Sequence, residues 1–176
     1  MTSSRRSPGG GRPRRSIAGV VLAVLLAPPS LAEETGGCGK FKWPIEADKA
    51  LLATAERVPS GTQLDVSGPK GVRVELVDAD KAGFEVQPEK PYPPGAPAGV
   101  LRFEVRAGVY QITTTDRLWF DVVQDGKLAE GAEFSGVLDC DGARKSVRFR
   151  LKDGPALLQL SGSPARTTAV AISRMP

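Results

Sequence analysis

From Thr62 onward the apolar residues of this chain recur at every second position, and nothing else in it limits folding as much. Val72, Val74 and Leu76 alternate with Arg73 and Glu75, and Leu101, Phe103 and Val105 alternate with Arg102 and Glu104. Val147, Phe149 and Leu151 alternate with Arg148 and Arg150. A period of two puts one set of side chains in a core and the other in water, which a strand does and a helix cannot. Further strands are predicted at 109–115, 118–124, 133–138, 156–161 and 168–173. Turn signals stand between them: Asp125-Gly126, Asp141-Gly142 and Asp153-Gly154-Pro155. Short strands at regular spacing predict a mainly β fold, an antiparallel β-sandwich of jelly-roll type or a small barrel. Val74, Leu101, Phe103, Val147, Phe149 and Leu160 are its expected core.

Residues 45–57 read differently. Pro44 suits a first helical turn, and Ala47, Ala50, Leu51, Ala55 and Val58 fall at helical spacing, so one N-terminal helix of about a dozen residues is expected before Pro59-Ser60-Gly61 ends it. Residues 89–99 hold Pro91, Pro93, Pro94 and Pro97, a stiff connection between strands or a polyproline segment offered to a partner.

The first 32 residues read as a signal peptide. Arg12, Arg14 and Arg15 precede an apolar run, Ile17 to Ala27, and the small-x-small site Ser30-Leu31-Ala32 follows. The run is about half of the ~20 residues a membrane-spanning helix needs, so no stable anchor is expected after cleavage. General secretion and twin-arginine export both remain open. Cys38 lies too far past the apolar run for a lipoprotein cysteine. The expected organisation is therefore a signal peptide at 1–32, a helix-bearing segment at 33–60 and a sandwich domain at 61–176. Removing the leader also removes the basic character. The whole chain has 24 cations and 20 anions, but five arginines and no acid lie in residues 1–32, so the remainder carries a charge of −1 and makes no case for a nucleic-acid partner.

Export makes Cys38 and Cys140 an even pair in an oxidising compartment, and a disulfide is expected between them. It closes a loop of roughly 100 residues, a constraint worth on the order of 4 kcal/mol through the unfolded state.

The runs Gly108-Val109-Tyr110-Gln111-Ile112, Leu118-Trp119-Phe120-Asp121-Val122-Val123, Ala143-Arg144-Lys145-Ser146-Val147-Arg148-Phe149 and Leu157-Leu158-Gln159-Leu160-Ser161-Gly162 resemble a family of small exported proteobacterial proteins without an established activity. With the segment from Cys38 to Trp43, the resemblance covers most of the chain beyond the leader. The strand order is also similar to that of the pre-peptidase C-terminal domain, a β-sandwich appended to secreted enzymes, a likeness that carries no function. Some members of the small family carry the label homogentisate dioxygenase. The resemblance implies no such chemistry here, because non-haem iron oxygenases hold Fe(II) with two histidines and a carboxylate and this chain has no histidine.

The missing histidine also excludes Ser-His-Asp and Cys-His catalysis. Two Asp-x-Asp pairs remain, Asp139 with Asp141 and Asp78 with Asp80. Neither continues into a calcium loop, and turn-forming aspartates at strand ends are the plainer reading. Arg144, Arg148, Arg150 and Lys152, with Ser146 among them, share one face if 144–152 is a strand, at a spacing of ~6.7 Å. Such a stripe can grip an anionic partner, or its charges can be answered by acids on the neighbouring strand. Trp119 falls on the face opposite Leu118, Phe120 and Val122, beside Asp121, as a contact aromatic or under a loop.

Two function classes follow. One is an exported, non-catalytic binding or structural module of the bacterial envelope, periplasmic or secreted, without a cofactor, that meets an envelope protein or glycan or docks on a larger protein. The other is a carboxylate-based hydrolase or metal-assisted enzyme. An enzyme requires a pocket with converging acids and shifted pKa values, a binding module a face or groove. The leader makes a direct prediction: the exported protein begins at Glu33, so its intact mass corresponds to 144 residues. A species that still starts at Met1, or one with lipid on Cys38, contradicts it.

Overall fold

The computed structural model describes residues 35–176, so the proposed signal peptide and its cleavage site lie outside the described residues. The strands are β1 (Thr35–Gly36), β2 (Glu56–Pro59), β3 (Gln63–Leu64), β4 (Lys70–Glu75), β5 (Val77–Asp78), β6 (Pro97–Val105), β7 (Gly108–Thr114), β8 (Trp119–Gln124), β9 (Lys127–Leu128), β10 (Gly131–Leu138), β11 (Lys145–Leu151), β12 (Gly154–Ser161) and β13 (Thr167–Arg174). Among the described residues one sheet runs β1-β10-β11-β7-β13-β4-β2; the other runs β3-β6-β12-β8-β9, with β5 added beside β6. The pairings are antiparallel except for three short ones, β1 with β10, β2 with β4 and β3 with β6.

The inner faces of the two sheets meet in one core, and the alternation is what places its members. All six expected core residues belong to it, with Tyr110, Ile112, Phe120, Val122, Leu158 and Ile172 beside them. Asp125-Gly126 forms the expected hairpin between β8 and β9; both residues have positive φ, 53° and 66°, as a type I′ turn needs.

The helix is shorter than its spacing predicts. It spans α1 (Glu46–Ala53), and Glu56–Pro59 is a strand parallel to β4. Val58 is β-branched, and a partner edge was open on β4, so the sheet won residues 56–59. The inward stripe is also different. Ala47 and Ala50 are exposed, whereas Ile45, Asp48 and Leu52 are buried. The proline-rich stretch also ends earlier than expected, since Pro97 opens β6, where a missing N–H is tolerated.

The alternation predicts strands with one wet face, and here the structure departs from it. Residues 156–161 of β12 and 168–172 of β13 are buried without interruption. Segments outside the sheets supply the second cover. On the seven-stranded sheet, Phe41, Trp43, Ile45 and Leu52 pack against Val137, Ala143, Ala169 and Ala171. The approach is close enough that a Cβ on Gly71 of β4 would collide with the Leu51 carbonyl. On the other sheet, Phe84 and Val86 pack on Val100, Val123 and Leu157.

Each cover is held by a buried polar residue. Asp48 of α1 accepts hydrogen bonds from Gln111 Nε2 (2.8 Å), Thr113 Oγ1 and Ser173 Oγ (3.2 Å). Thr113 is bonded in turn to Ser146 (2.8 Å), which accepts from Trp43 Nε1 (3.1 Å). Gln159 of β12 accepts from the N–H of Glu85 (2.8 Å) and donates to the carbonyl of Val86 (3.0 Å). The expected disulfide is present: Cys38 and Cys140 are bonded, their Cα atoms 4.5 Å apart, and it fastens the start of the first cover to the β10–β11 hairpin.

Asp48 sits where helical periodicity asks for an apolar residue, so its replacement is informative. Asp48→Ala leaves Gln111, Thr113 and Ser173 facing a buried gap and is expected to cost about 2–4 kcal/mol, with the native fold retained by the main core and the disulfide. Urea denaturation checks this through a lowered midpoint at unchanged slope. A midpoint within experimental error of the wild type would show that the carboxylate is not what holds the helix down.

Candidate functional site

At one end of the sandwich the β7–β8 turn, the β10–β11 hairpin, the β12–β13 turn and the proline-rich segment come together. Two cavities open there. The smaller, of about 340 Å³, is lined by Pro91, Tyr92, Pro93, Arg117, Leu118, Trp119, Phe134, Arg144, Lys145, Ser161 and Gly162. The larger, of about 510 Å³, lies between the sheet edges β8–β9 and β10–β11, with Phe120, Leu128, Val147 and Phe149 in its wall and Glu89, Asp121, Glu130 and Glu133 also lining it. Trp119, Phe134 and Lys145 belong to both. Leu128 (38%) and Phe134 (37%) are among the few large apolar side chains exposed to solvent.

Lys145 sits here because of strand register. It shares the inward face of β11 with Val147, Phe149 and Leu151, but at the strand's first position, where the core gives way to the opening. It is buried, and its ammonium lies 3.8 Å from the Trp119 ring centroid and 4.6 Å from that of Phe120, a cation–π arrangement. Lys90 also approaches Trp119, at 5.3 Å. The Trp119 Nε1 donates to Asp121 Oδ1 (2.8 Å), and the Glu89 N–H donates to Asp121 Oδ2 (3.1 Å). Trp119 and Asp121 thus share the outer face of β8, as the alternation predicts, under the proline-rich segment. Burial pushes the Asp121 carboxyl above its ordinary pKa, against the opposing pull of these two hydrogen bonds.

The arginine stripe is divided among separate tasks. Arg144 stands just before β11, lines the smaller cavity and donates to the Val137 carbonyl (2.7 Å). Ser146 is buried under Trp43. Arg148 lies over the Trp43 ring at 4.2 Å, donates to Gln111 Oε1 (3.0 Å) and pairs with Glu133 (3.0 Å) on the neighbouring strand. Arg150 and Lys152 are exposed at the far end. The structure therefore brings Arg144 together with Arg117 and Lys145, two cations outside the stripe.

The aspartate pairs lie elsewhere. Asp78 is bound by Arg166 (2.7 Å) and Lys81 (3.3 Å), whose hydrogen bonds hold its carboxyl below the ordinary range. Asp139 occupies a left-handed position (φ 54°) in the β10–β11 hairpin, and Asp80 and Asp141 are exposed. Among the described residues no group of three carboxylates or cysteines is arranged to hold a metal ion, and no helix is long and apolar enough to cross a membrane. Compared with known families and with curated proteins, the chain matches none.

Sequence reasoning did not single out Lys145, Arg117, Ser161, Gln159 or Asp48. For Lys145 the signal existed, since an odd-numbered position on β11 is an inward one.

The Asp121 environment has a pH consequence. A carboxyl whose pKa is raised on folding holds its proton more tightly in the folded state, so its contribution to stability grows as pH falls through the window above the ordinary carboxylate value. Asp121→Asn keeps an acceptor oxygen and abolishes the titration. The stability of the wild type relative to this variant is expected to increase on going from about pH 6 to about pH 4; the opposite contribution of Asp78 is common to both proteins and cancels. A difference that stays constant across that range contradicts the assignment.

Proposed function

We propose that this protein is an exported, non-catalytic binding module, periplasmic or secreted, that holds a ligand of the cell envelope at the open end of its sandwich. One observation carries the reading: four segments distant in sequence converge on two adjoining cavities that share Trp119, Phe134 and Lys145. Loops gathered at one end of a rigid sandwich are where such scaffolds bind. The disulfide fits the oxidising compartment that the leader predicts. Burial raises the pKa of Asp121, and both its oxygens already accept hydrogen bonds, from Trp119 and from the Glu89 backbone. That favours a positioning role over a general base, which needs a lone pair aimed at substrate.

The test is native mass spectrometry of the protein mixed with an envelope extract. A bound small molecule is expected on the wild type and is expected to be lost from Phe134→Asp, a change at an exposed wall residue that leaves the core intact. The molecule should be recovered chemically unaltered. No bound species, or equal binding to the variant, removes this site; a ligand recovered as a cleaved product returns the protein to the carboxylate-based enzyme class.

A further inference from the structure

We propose that the Cys38–Cys140 bridge is a site of thiol–disulfide exchange with a dithiol protein, whose thiolate attacks the Cys140 sulfur while Cys38 leaves. This does not depend on the cavities or on what they hold, so the binding module stands whatever happens at the bridge.

The two sulfurs stand in opposite electrostatic surroundings. On one side, Lys49 of α1 donates toward Cys38 Sγ from 3.4 Å. The lysine is braced there by the β10–β11 hairpin, since its Cε is 3.6 Å from the point where a Cβ on Gly142 would stand. Lys40, exposed two residues after Cys38, adds a second positive charge to that segment. On the other side, Cys140 is flanked by Asp139 and Asp141, both exposed. A cation beside a sulfur favours its thiolate, and neighbouring carboxylates disfavour one. Cys38 is therefore the better leaving group of the two, and exchange runs faster through the better leaving group. Access selects the same direction. Neither cysteine is fully buried, but the Lys49 contact at Cys38 Sγ is partly buried, whereas Cys140 Sγ lies beside the Asp141 carbonyl (3.8 Å) at an exposed position.

In the first step the attacking thiolate forms a bond to Cys140 Sγ, and Cys38 Sγ departs with the electron pair of the old bond, as a thiolate beside Lys49. In the second, the other thiol of the dithiol protein loses its proton to solvent and attacks its own sulfur in the mixed disulfide. Cys140 leaves and takes a proton from solvent. The bridge has gained two electrons, and the dithiol has become a disulfide. Asp139 and Asp141 also repel an incoming thiolate, so the partner they admit is one whose reactive cysteine is set among positive charges. The first cover keeps the hydrogen bonds of Asp48 and Trp43 when the bridge opens, so the pair can cycle on a folded domain.

The direction of attack is tested by brief exposure of the folded protein to glutathione, rapid trapping with N-ethylmaleimide and peptide mapping. Glutathione is expected on Cys140 and maleimide on Cys38, in about ten-fold excess over the reverse. Lys49→Met is expected to slow reduction by dithiothreitol several-fold and to erase that preference, while Lys152→Met, the same charge change at the far end of the sandwich, leaves both unchanged. A lysine that only braces the helix gives the opposite sign, because loosening the cover exposes the bridge and speeds its reduction. The partner is tested with two Cys-x-x-Cys peptides, one flanked by lysines and one by glutamates. The lysine-flanked peptide is expected to reduce the bridge about ten-fold faster at low salt, with the gap narrowing at high salt. Glutathione on Cys38 as often as on Cys140, faster or unchanged reduction of Lys49→Met, equal rates for the two peptides, or a bridge that opens only once urea has unfolded the domain overturns the proposal.

Discussion

β12, and β13 as far as Ser173, present apolar or uncharged side chains on both of their faces, and a two-sheet sandwich can bury only one of them. This constraint organises the rest of the molecule. The inner faces meet each other, and each outer face must find a cover from chain that belongs to no sheet. The N-terminal segment lies over β13, β7 and β11 with Phe41, Trp43, Ile45 and Leu52, and the segment around Phe84 and Val86 lies over β12 and β8. Neither cover is held by apolar contact alone. A flat sheet face made of Ala169, Ala171, Thr113 and Ser146 offers little relief for side chains to key into, and apolar burial has no direction. Asp48 and Gln159 supply direction, because a buried carboxylate or amide finds its partners in one placement of the segment and pays a desolvation penalty in the others.

The covers also define where the protein stays open. The N-terminal segment reaches Ser135, Ser146 and Arg148, and the second cover ends at Glu89, whose N–H caps Asp121. Beyond these points the sheet edges β8–β9 and β10–β11 spread without filler, and Trp119, Phe134 and Lys145 stand in the gap. The same register that fills the core thus carries a lysine to its mouth. A lysine among Val147, Phe149 and Leu151 would be costly in the middle of β11. At the strand's first residue it is stabilised by the π faces of Trp119 and Phe120.

Much of the fold was legible because alternation is a local signal with one physical meaning. The eight longer strands from β4 onward, the six named core residues, the Asp125-Gly126 turn and the disulfide all follow from it or from the cysteine count. What alternation cannot report is the fate of the outer face. Arg148 and Arg150 look equivalent as polar positions, yet one is stacked on Trp43 and the other is exposed, because the difference lies in a segment about a hundred residues away in the chain. The helix shows the same limit. Counting apolar spacing selects Ala47 and Ala50, whereas the sheet below offers the hydroxyls of Thr113 and Ser173 and the amide of Gln111, so the buried position goes to the residue that accepts from them. Short parallel strands such as β2 and β3 carry too few residues to show any period.

The cations of this chain illustrate how register decides role. Arg148 is a fastener: its guanidinium ties Trp43, Gln111 and Glu133 together, so the first cover and β10 are both attached through it. Its neighbour in sequence order, Arg144, differs only in standing before the strand begins, and there the hairpin turns it toward the cavity that Arg117 and Lys145 also line. A stripe read as one surface is therefore split three ways, with Arg148 fastened inside the fold, Arg144 facing its opening, and Arg150 and Lys152 exposed at the far end. The opening is where an unmet demand persists. The fold satisfies Asp48, Gln159 and Asp121 with donors and acceptors of its own, and leaves the Ser161 hydroxyl, beside that opening, without a hydrogen-bond partner among the described residues.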